Sequence, residues 1–356
     1  MSFELILPFL RPIEALLLDD NVSEIMGNPD ASWWYERDGI MFQEQGISFD
    51  AGKLQTGLEV IANQLGKKLD EDNPLLHAQL PDGSRLAAVI PPVVRCTPAL
   101  IIRKFTSRHY TVDDLIARGT VTRALADFLA EQIRSGKTLL ISGGTGTGKT
   151  TLLRILADFI PEQDRLVVIE DTSELQIQKP NILPTECQTD TFKAKITFDD
   201  LLKSALRWRP DRIILGEVRG IEARTLLDSF NTGHAGSMAT IHANSAEKAL
   251  HRFANLVMRS HAQSTFADTE AEIAEAVDFV VHVERQPGRR LVREVLALRG
   301  YDRDAKRFLI ESVFEVQHAT ASARSAAPIA ADLLSNSAQK DSLIPLPIKE
   351  NPHAIA

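Results

Sequence analysis

The chain of 356 residues exceeds one ordinary domain; at about 150 residues per domain it holds two, with room for a tail. A content of 44% hydrophobic and 25% charged residues excludes a disordered chain, a collagen and a disulfide scaffold. The 40 basic against 48 acidic side chains leave a net charge of −8, which argues against a surface built to hold duplex DNA.

The most apolar opening stretch, Leu5 to Leu18, is broken by Pro8, Arg11, Pro12 and Glu14, and the first charge is Glu4. It reads neither as a signal peptide nor as a membrane span, which needs about 20 apolar residues, so a cytoplasmic protein is expected. Cys96 and Cys187 form no CxxC pair. That fits a reducing compartment, with both thiols neutral and buried or half-buried.

Trp33 to Glu36, Asp38-Gly39 and Ile40 to Phe42 read as a hairpin with a tight turn. The Trp pair reads as strand packing in preference to a stacking platform for single-stranded nucleic acid. A helix follows around Leu54 to Leu65. Next come a turn at Pro81 to Ser84 and strands at Arg85 to Ile90 and Ala99 to Phe105. Residues 1–105 are therefore expected to form a small α+β domain, with a polar linker at 106–111. Residues 112–317 open with helices at Val112 to Ala117 and Val121 to Arg134. The short apolar runs Thr138 to Ser142, Leu166 to Glu170 and Arg212 to Gly216 then suit strands buried on both faces of a parallel sheet. Between them, Ala223, Leu226, Leu227 and Phe230 share one helical face in Glu222 to Asn231. Strand–helix–strand order implies right-handed crossovers and helices on both faces. Residues 318–356 turn to Ala, Ser and Pro without a period and read as a disordered tail.

Gly143-Gly144-Thr145-Gly146-Thr147-Gly148-Lys149-Thr150 fits GxxxxGK[ST] between an apolar strand and a helix, Thr150 to Phe159. Ordinary residue frequencies give this match by chance in about one chain of this length in a hundred. The glycines permit positive φ and turn backbone N–H groups toward a phosphate, and the helix start adds partial positive charge. Lys149 supplies a point charge to the β- and γ-phosphates, and the Thr150 hydroxyl is suited to Mg²⁺. A nucleoside triphosphate site is the expectation.

The strand ending at Glu170 carries Asp171 and Glu174 just beyond it. Ligands in such sheets sit beyond the carboxyl ends of the strands, so Glu170, Asp171 and Glu174 are expected to face the phosphates. A second strand, Arg212 to Leu215, ends in Gly216-Glu217. Hydrolysis needs one carboxylate for the Mg²⁺ shell and one for the attacking water, and these acids can supply both. In Thr232 to Asn244, a glycine turn and a strand end in His242, placed to hydrogen-bond a γ-phosphate. No cysteine or third histidine accompanies His234 and His242 at metal-binding spacing.

Together these segments resemble the four boxes of the type II/IV secretion ATPase superfamily. They are the Gly143–Thr150 loop, Val168 to Leu175, Leu206 to Gly220 with its Arg-Pro-Asp and Gly-Glu-Val-Arg-Gly, and Thr232 to Asn244 with its Thr-Ile-His-Ala-Asn. The likeness covers about residues 10 to 315, including Val22 to Met26 and Tyr35 to Gly39. It implies an α/β fold: a P-loop RecA-like domain behind a smaller α+β domain. Glu170-Asp171-Thr172 and the lack of a zinc-binding insertion favour its type IV secretion and Flp-pilus side. The run Val283 to Arg290 is similar to the conjugative TrbB-like branch.

The resemblance implies ATP and Mg²⁺ as cofactors. Gly143 to Thr150, with Thr151 after them, would hold the phosphates, and Thr150 and Glu217 the metal. Glu174 would be the catalytic base, Glu217 would also serve the water, and His242 would sense the γ-phosphate. Arg85 and Arg103 would reach the nucleotide from the N-terminal domain, and Arg219 would couple. It further implies a homohexamer at the cytoplasmic face of the inner membrane, touching secretion or conjugation subunits and binding no specific nucleic-acid sequence. Rival readings are a Flp or type IV pilus assembly ATPase, a nucleotide-gated scaffold with little turnover, and a RecA-like DNA motor. The paired glutamates weigh against the scaffold, and the acidic balance weighs against the DNA motor.

Overall fold

The computed structural model describes residues 4, 6–37, 39–105, 110–188, 195–260, 264–286 and 288–316. The expected tail at 318–356 and most of the expected linker lie outside them.

Two short 3-10 turns precede α1 (Glu14–Leu18). They carry Ile6, Leu10, Ile13, Leu16 and Leu17 into the first core, so the apolar opening stretch is spent on folding. Then follow β1 (Val22–Gly27), β2 (Trp33–Arg37), β3 (Ile40–Glu44), α2 (Ala51–Gln64), β4 (Leu75–Gln79), β5 (Arg85–Val89) and β6 (Ala99–Arg103). The six strands form one antiparallel sheet in the order β3-β2-β1-β6-β5-β4. Arg37 pairs with Ile40, as the expected hairpin requires, and Gly39 takes φ +82°. Asp50 caps α2 by accepting from the Lys53 N–H. Leu54, Leu58, Ile61 and Ala62 then recur at helical spacing and cover the sheet. Trp33 is 3% exposed and stacks on Phe49, which settles its packing role.

The second sheet begins after α3 (Val112–Ala117) and α4 (Arg123–Arg134). Its elements are β7 (Leu139–Gly143), α5 (Lys149–Ala157), β8 (Leu166–Glu170), β9 (Ile182–Glu186), α6 (Phe198–Ala205), β10 (Arg212–Val218), α7 (Glu222–Asn231) and β11 (Met238–His242). They continue with α8 (Ala246–Met258), α9 (Phe266–Ala276), β12 (Phe279–Gln286), β13 (Arg289–Asp302) and β14 (Arg307–Glu315). The strand order is β14-β13-β12-β7-β11-β10-β8-β9. Pairing is parallel from β12 through β9 and antiparallel across β12-β13-β14.

Pleating divides each apolar strand between two cores. Leu140, Val167, Ile169, Ile213 and Leu215 face α6 to α9. Leu139, Ile141, Leu166, Val168 and Ile214 face α3 to α5. Helices on both faces are therefore present, as the sequence implies. The molecule is an α/β protein with the N-terminal sheet set against the parallel one, and Met1–Val316 form one compact unit. Among the described residues no helix is long and apolar enough to cross a membrane. One expectation fails: Cys96 is exposed, because it lies in the irregular connection between β5 and β6. Cys187 is buried, and burial pushes its thiol up to about 12.

Candidate active site

The carboxyl ends of β7, β8, β10 and β11 open into a cleft of about 910 Å³ whose other wall is the N-terminal sheet. The loop after β7 shapes its floor. A Cβ at Gly143 would stand 2.4 Å from the Val283 carbonyl oxygen of β12, so no other residue fits there. Gly148 takes φ +92° as the residue before α5, a conformation that glycine alone adopts at little cost. Thr147 closes the loop by donating its hydroxyl to the Gly144 carbonyl at 3.0 Å. Thr150 and Thr151, in the first turn of α5, border the cleft.

Lys149 is 7% exposed, and its ammonium donates to the Gly144 carbonyl at 2.7 Å. Burial pulls its pKa down to about 8, only partly opposed by Glu217. No carboxylate of the described residues lies within ion-pair distance of it. Its second neighbour is His242 Nδ1, at 3.3 Å.

A continuous chain of contacts starts there. His242 Nε2 is 3.0 Å from Glu217 Oε1. The other Glu217 oxygen accepts from Arg219 at 2.9 Å, and Arg219 donates to Asp171 at 3.2 Å. Three of the four boxes are thereby joined to the loop lysine. A register shift in β10 between Leu215 and Val218 aims Glu217 into the cleft. The Thr240 hydroxyl, donating to the Gly216 carbonyl at 2.5 Å, ties that bulge to β11. Burial, then the Lys149 charge, holds His242 below its usual pKa, so it is neutral. An ammonium can only donate, so Nδ1 is the acceptor toward Lys149 and the ring proton is left on Nε2, facing Glu217. Burial alone would raise the Glu217 carboxyl, but the Arg219 hydrogen bond and charge, with His242 and Lys149, outweigh it and lower the pKa.

On the facing wall, Arg85 of β5 makes an ion pair with Glu174 at 2.9 Å. Its Nε is buried without a partner. Arg103, opposite Arg85 in the β5–β6 register, borders the cleft but gives its Nε to Glu24 of β1 at 2.8 Å. Glu170 corrects an expectation. Its carboxyl is turned inward and accepts the backbone N–H groups of Glu174 and Leu175, each at 2.9 Å. Burial pushes it up to about 7. Glu170 still lines the cleft, but these two bonds commit one of its oxygens to the turn that presents Glu174. Sequence reasoning missed Glu36, Arg285 and Arg290 at the mouth of the cleft. The only signal was the density of arginine in the Val283 to Arg290 run.

These groups suit a polyphosphate. The Lys149 ammonium is buried without a carboxylate beside it, and both Lys149 and Arg85 border the cleft. The donors also suit Mg²⁺, a hard cation usually held by one or two carboxylates plus substrate phosphates. Thr150 and Glu217 supply oxygen, and no cluster of three or more metal-binding side chains exists among the described residues.

A sequence model described as "Type II/IV secretion system protein" matches residues 10–325. Over 289 residues the chain is 39% identical to the conjugal transfer protein TrbB of Rhizobium radiobacter, covering 80% of this chain and 86% of that protein. It is 31% identical over 332 residues to the type IV secretion system protein VirB11 of Bartonella quintana (strain Toulouse), covering 82% and 92%. Among solved structures, the Legionella pneumophila ATPase DotB shares the fold with a TM-score of 0.57 at 20% identity, covering 86% of this chain and 83% of that one. With such matches over four fifths of its length, the chain belongs to the type II/IV secretion system protein family.

Proposed function

We propose that this chain is an ATPase that hydrolyses ATP in the cleft between its two sheets and powers type IV secretion or conjugative transfer. The observation that carries the reading is the chain of contacts Lys149–His242–Glu217–Arg219–Asp171, facing the Arg85–Glu174 pair. Few structural roles call for a buried lysine, a neutral histidine and three carboxylates converging on a glycine loop.

In this reading the loop amides and Lys149 hold the β- and γ-phosphates, and Arg85 exchanges Glu174 for a phosphate oxygen. That exchange frees the Glu174 carboxylate to orient a water and take its proton. The water oxygen bonds to the γ-phosphorus as the bond to the β–γ bridging oxygen breaks, giving ADP and phosphate. Mg²⁺, beside Thr150 and Glu217, would neutralise charge on the phosphates. His242 links γ-phosphate occupancy to Glu217. The names of the relatives support the assignment to conjugation and type IV secretion. We further propose two domains meeting near residues 106–111, a hexameric ring, and a place at the cytoplasmic face of the inner membrane.

Lys149→Ala tests the reading. The variant is expected to lose ATP hydrolysis and to bind nucleotide at least about a hundredfold more weakly, since the phosphates lose a desolvated charge. Wild-type phosphate release by a folded Lys149→Ala protein would remove the nucleotide site from this loop.

A further inference from the structure

We infer that Arg290 is a positioning residue of the phosphate-binding loop, and that Glu36 of the N-terminal sheet holds it in place. Nucleotide binding and the docking of that sheet are then linked through one carboxylate. The inference rests on the nucleotide reading above.

Arg290 stands near the start of β13, just past the turn where Gln286 pairs with Arg289. Its Nε donates to the Gly146 carbonyl at 3.1 Å. Its Cδ lies 3.3 Å from where a Cβ on Gly148 would be, so the side chain runs along the loop. A trans peptide is planar, and its N–H points opposite to its carbonyl. Tying the Gly146 carbonyl to Arg290 therefore fixes the direction of the Thr147 N–H, one of the loop amides offered to a phosphate. Gly146, at φ +68°, has no side chain of its own to set that peptide.

The same guanidinium makes an ion pair with Glu36 of β2, with 3.8 Å between Arg290 Nη2 and Glu36 Oε1. Glu36 is 7% exposed. Its Oε2 accepts from Arg285 at 3.0 Å and its Oε1 from the Ser23 hydroxyl at 3.0 Å. Arg285, near the end of β12, also donates to the Gly39 carbonyl at 2.6 Å. Two hairpins thus meet, β12–β13 from the parallel sheet and β2–β3 from the N-terminal sheet. One buried carboxylate lies between two guanidiniums, and one of these holds the phosphate loop. A buried charge with two such partners is costly to leave unmatched. Because coupling between binding events is reciprocal, a nucleotide that favours this loop conformation also favours the docked N-terminal sheet.

The test measures the affinity of a fluorescent ADP analogue for the full chain, beside KM and kcat for ATP and the melting temperature. Arg290→Ala is expected to weaken binding about tenfold, the size of one charged hydrogen bond. KM should rise more than kcat falls, because a loop held ready binds ground and transition states alike. Arg290→Lys keeps the charge but has no Nε–H for Gly146, and should stay impaired; it carries the test if the Ala variant does not fold. Glu36→Gln should weaken binding several-fold. The double variant should be no weaker than Arg290→Ala, because Glu36 acts through Arg290. Affinities within about twofold of wild type in the folded single variants, or fully additive losses in the double, would overturn the inference. If Lys149→Ala still abolishes binding in that case, the nucleotide reading stands without it. A wild-type protein that binds no nucleotide overturns both.

Discussion

Lys149 is held in its charged form by little except the phosphates it is proposed to bind. With a pKa of about 8, the free protein carries a mixture of ammonium and amine in mildly alkaline solution. Only the ammonium pairs with phosphate, so binding above that pH must take up a proton. Affinity for ADP is expected to fall as pH rises from 8, approaching about tenfold per pH unit. Titration with fluorescent ADP at pH 7, 8 and 9 checks this, and a flat profile contradicts it. Glu170 makes a second, independent statement about pH. Burial raises its pKa in the folded chain from the ordinary 4.5 to about 7, so the neutral form stabilises the fold below about 4.5 and that stability is lost as pH rises through 7. Glu170→Gln keeps an acceptor for the Glu174 and Leu175 amides while removing the charge. It should melt higher than wild type at pH 8 and show no such advantage at pH 4.5. Spacing revealed the acids of the second box, but it could not tell which would be buried. Glu170 and Glu174 are four residues apart, and only the turn after β8 directs one inward and the other toward Arg85.

At the scale of elements, the parallel strands were legible because burial on both faces forces continuous apolar runs. The bounds of β8 and of α7 coincide with what the sequence announces. β13 was harder to read. Its charged Arg293-Glu294 pair interrupts the apolar pattern, and its fourteen residues pair with β12 as far as Ala297 and with β14 from Glu294 onward. The helix α8 shows how much a single buried ring carries. Phe253 is fully buried, packed with the core that faces α6 to α9. Phe253→Ala should cost about 3–5 kcal/mol, read as a lower denaturant midpoint with unchanged slope. A loss below about 1 kcal/mol would mean that the core collapses into the space.

For the whole molecule, the N-terminal sheet reaches the parallel sheet through arginine–carboxylate contacts, Arg85–Glu174 and Arg285–Glu36 among them. No single-sequence pattern announces such contacts, since each joins residues 89 to 249 apart in the chain and an exposed strand arginine looks like any solvated one. Arg103 differs from Arg85 because Glu24 of its own sheet already engages it. Arg103→Ala is expected to lower turnover while leaving melting temperature and assembly intact, as measured by phosphate release and light scattering on one preparation. Normal turnover would leave Arg103 as a surface partner of Glu24. The most direct measurement of the central claim sets nucleotide binding beside chemistry in Glu174→Gln. The substitution keeps shape and hydrogen bonding but removes the charge that takes a proton from water. The account predicts ATP affinity near that of wild type with phosphate release lowered at least about a hundredfold. Equal phosphate release by the two proteins would contradict it.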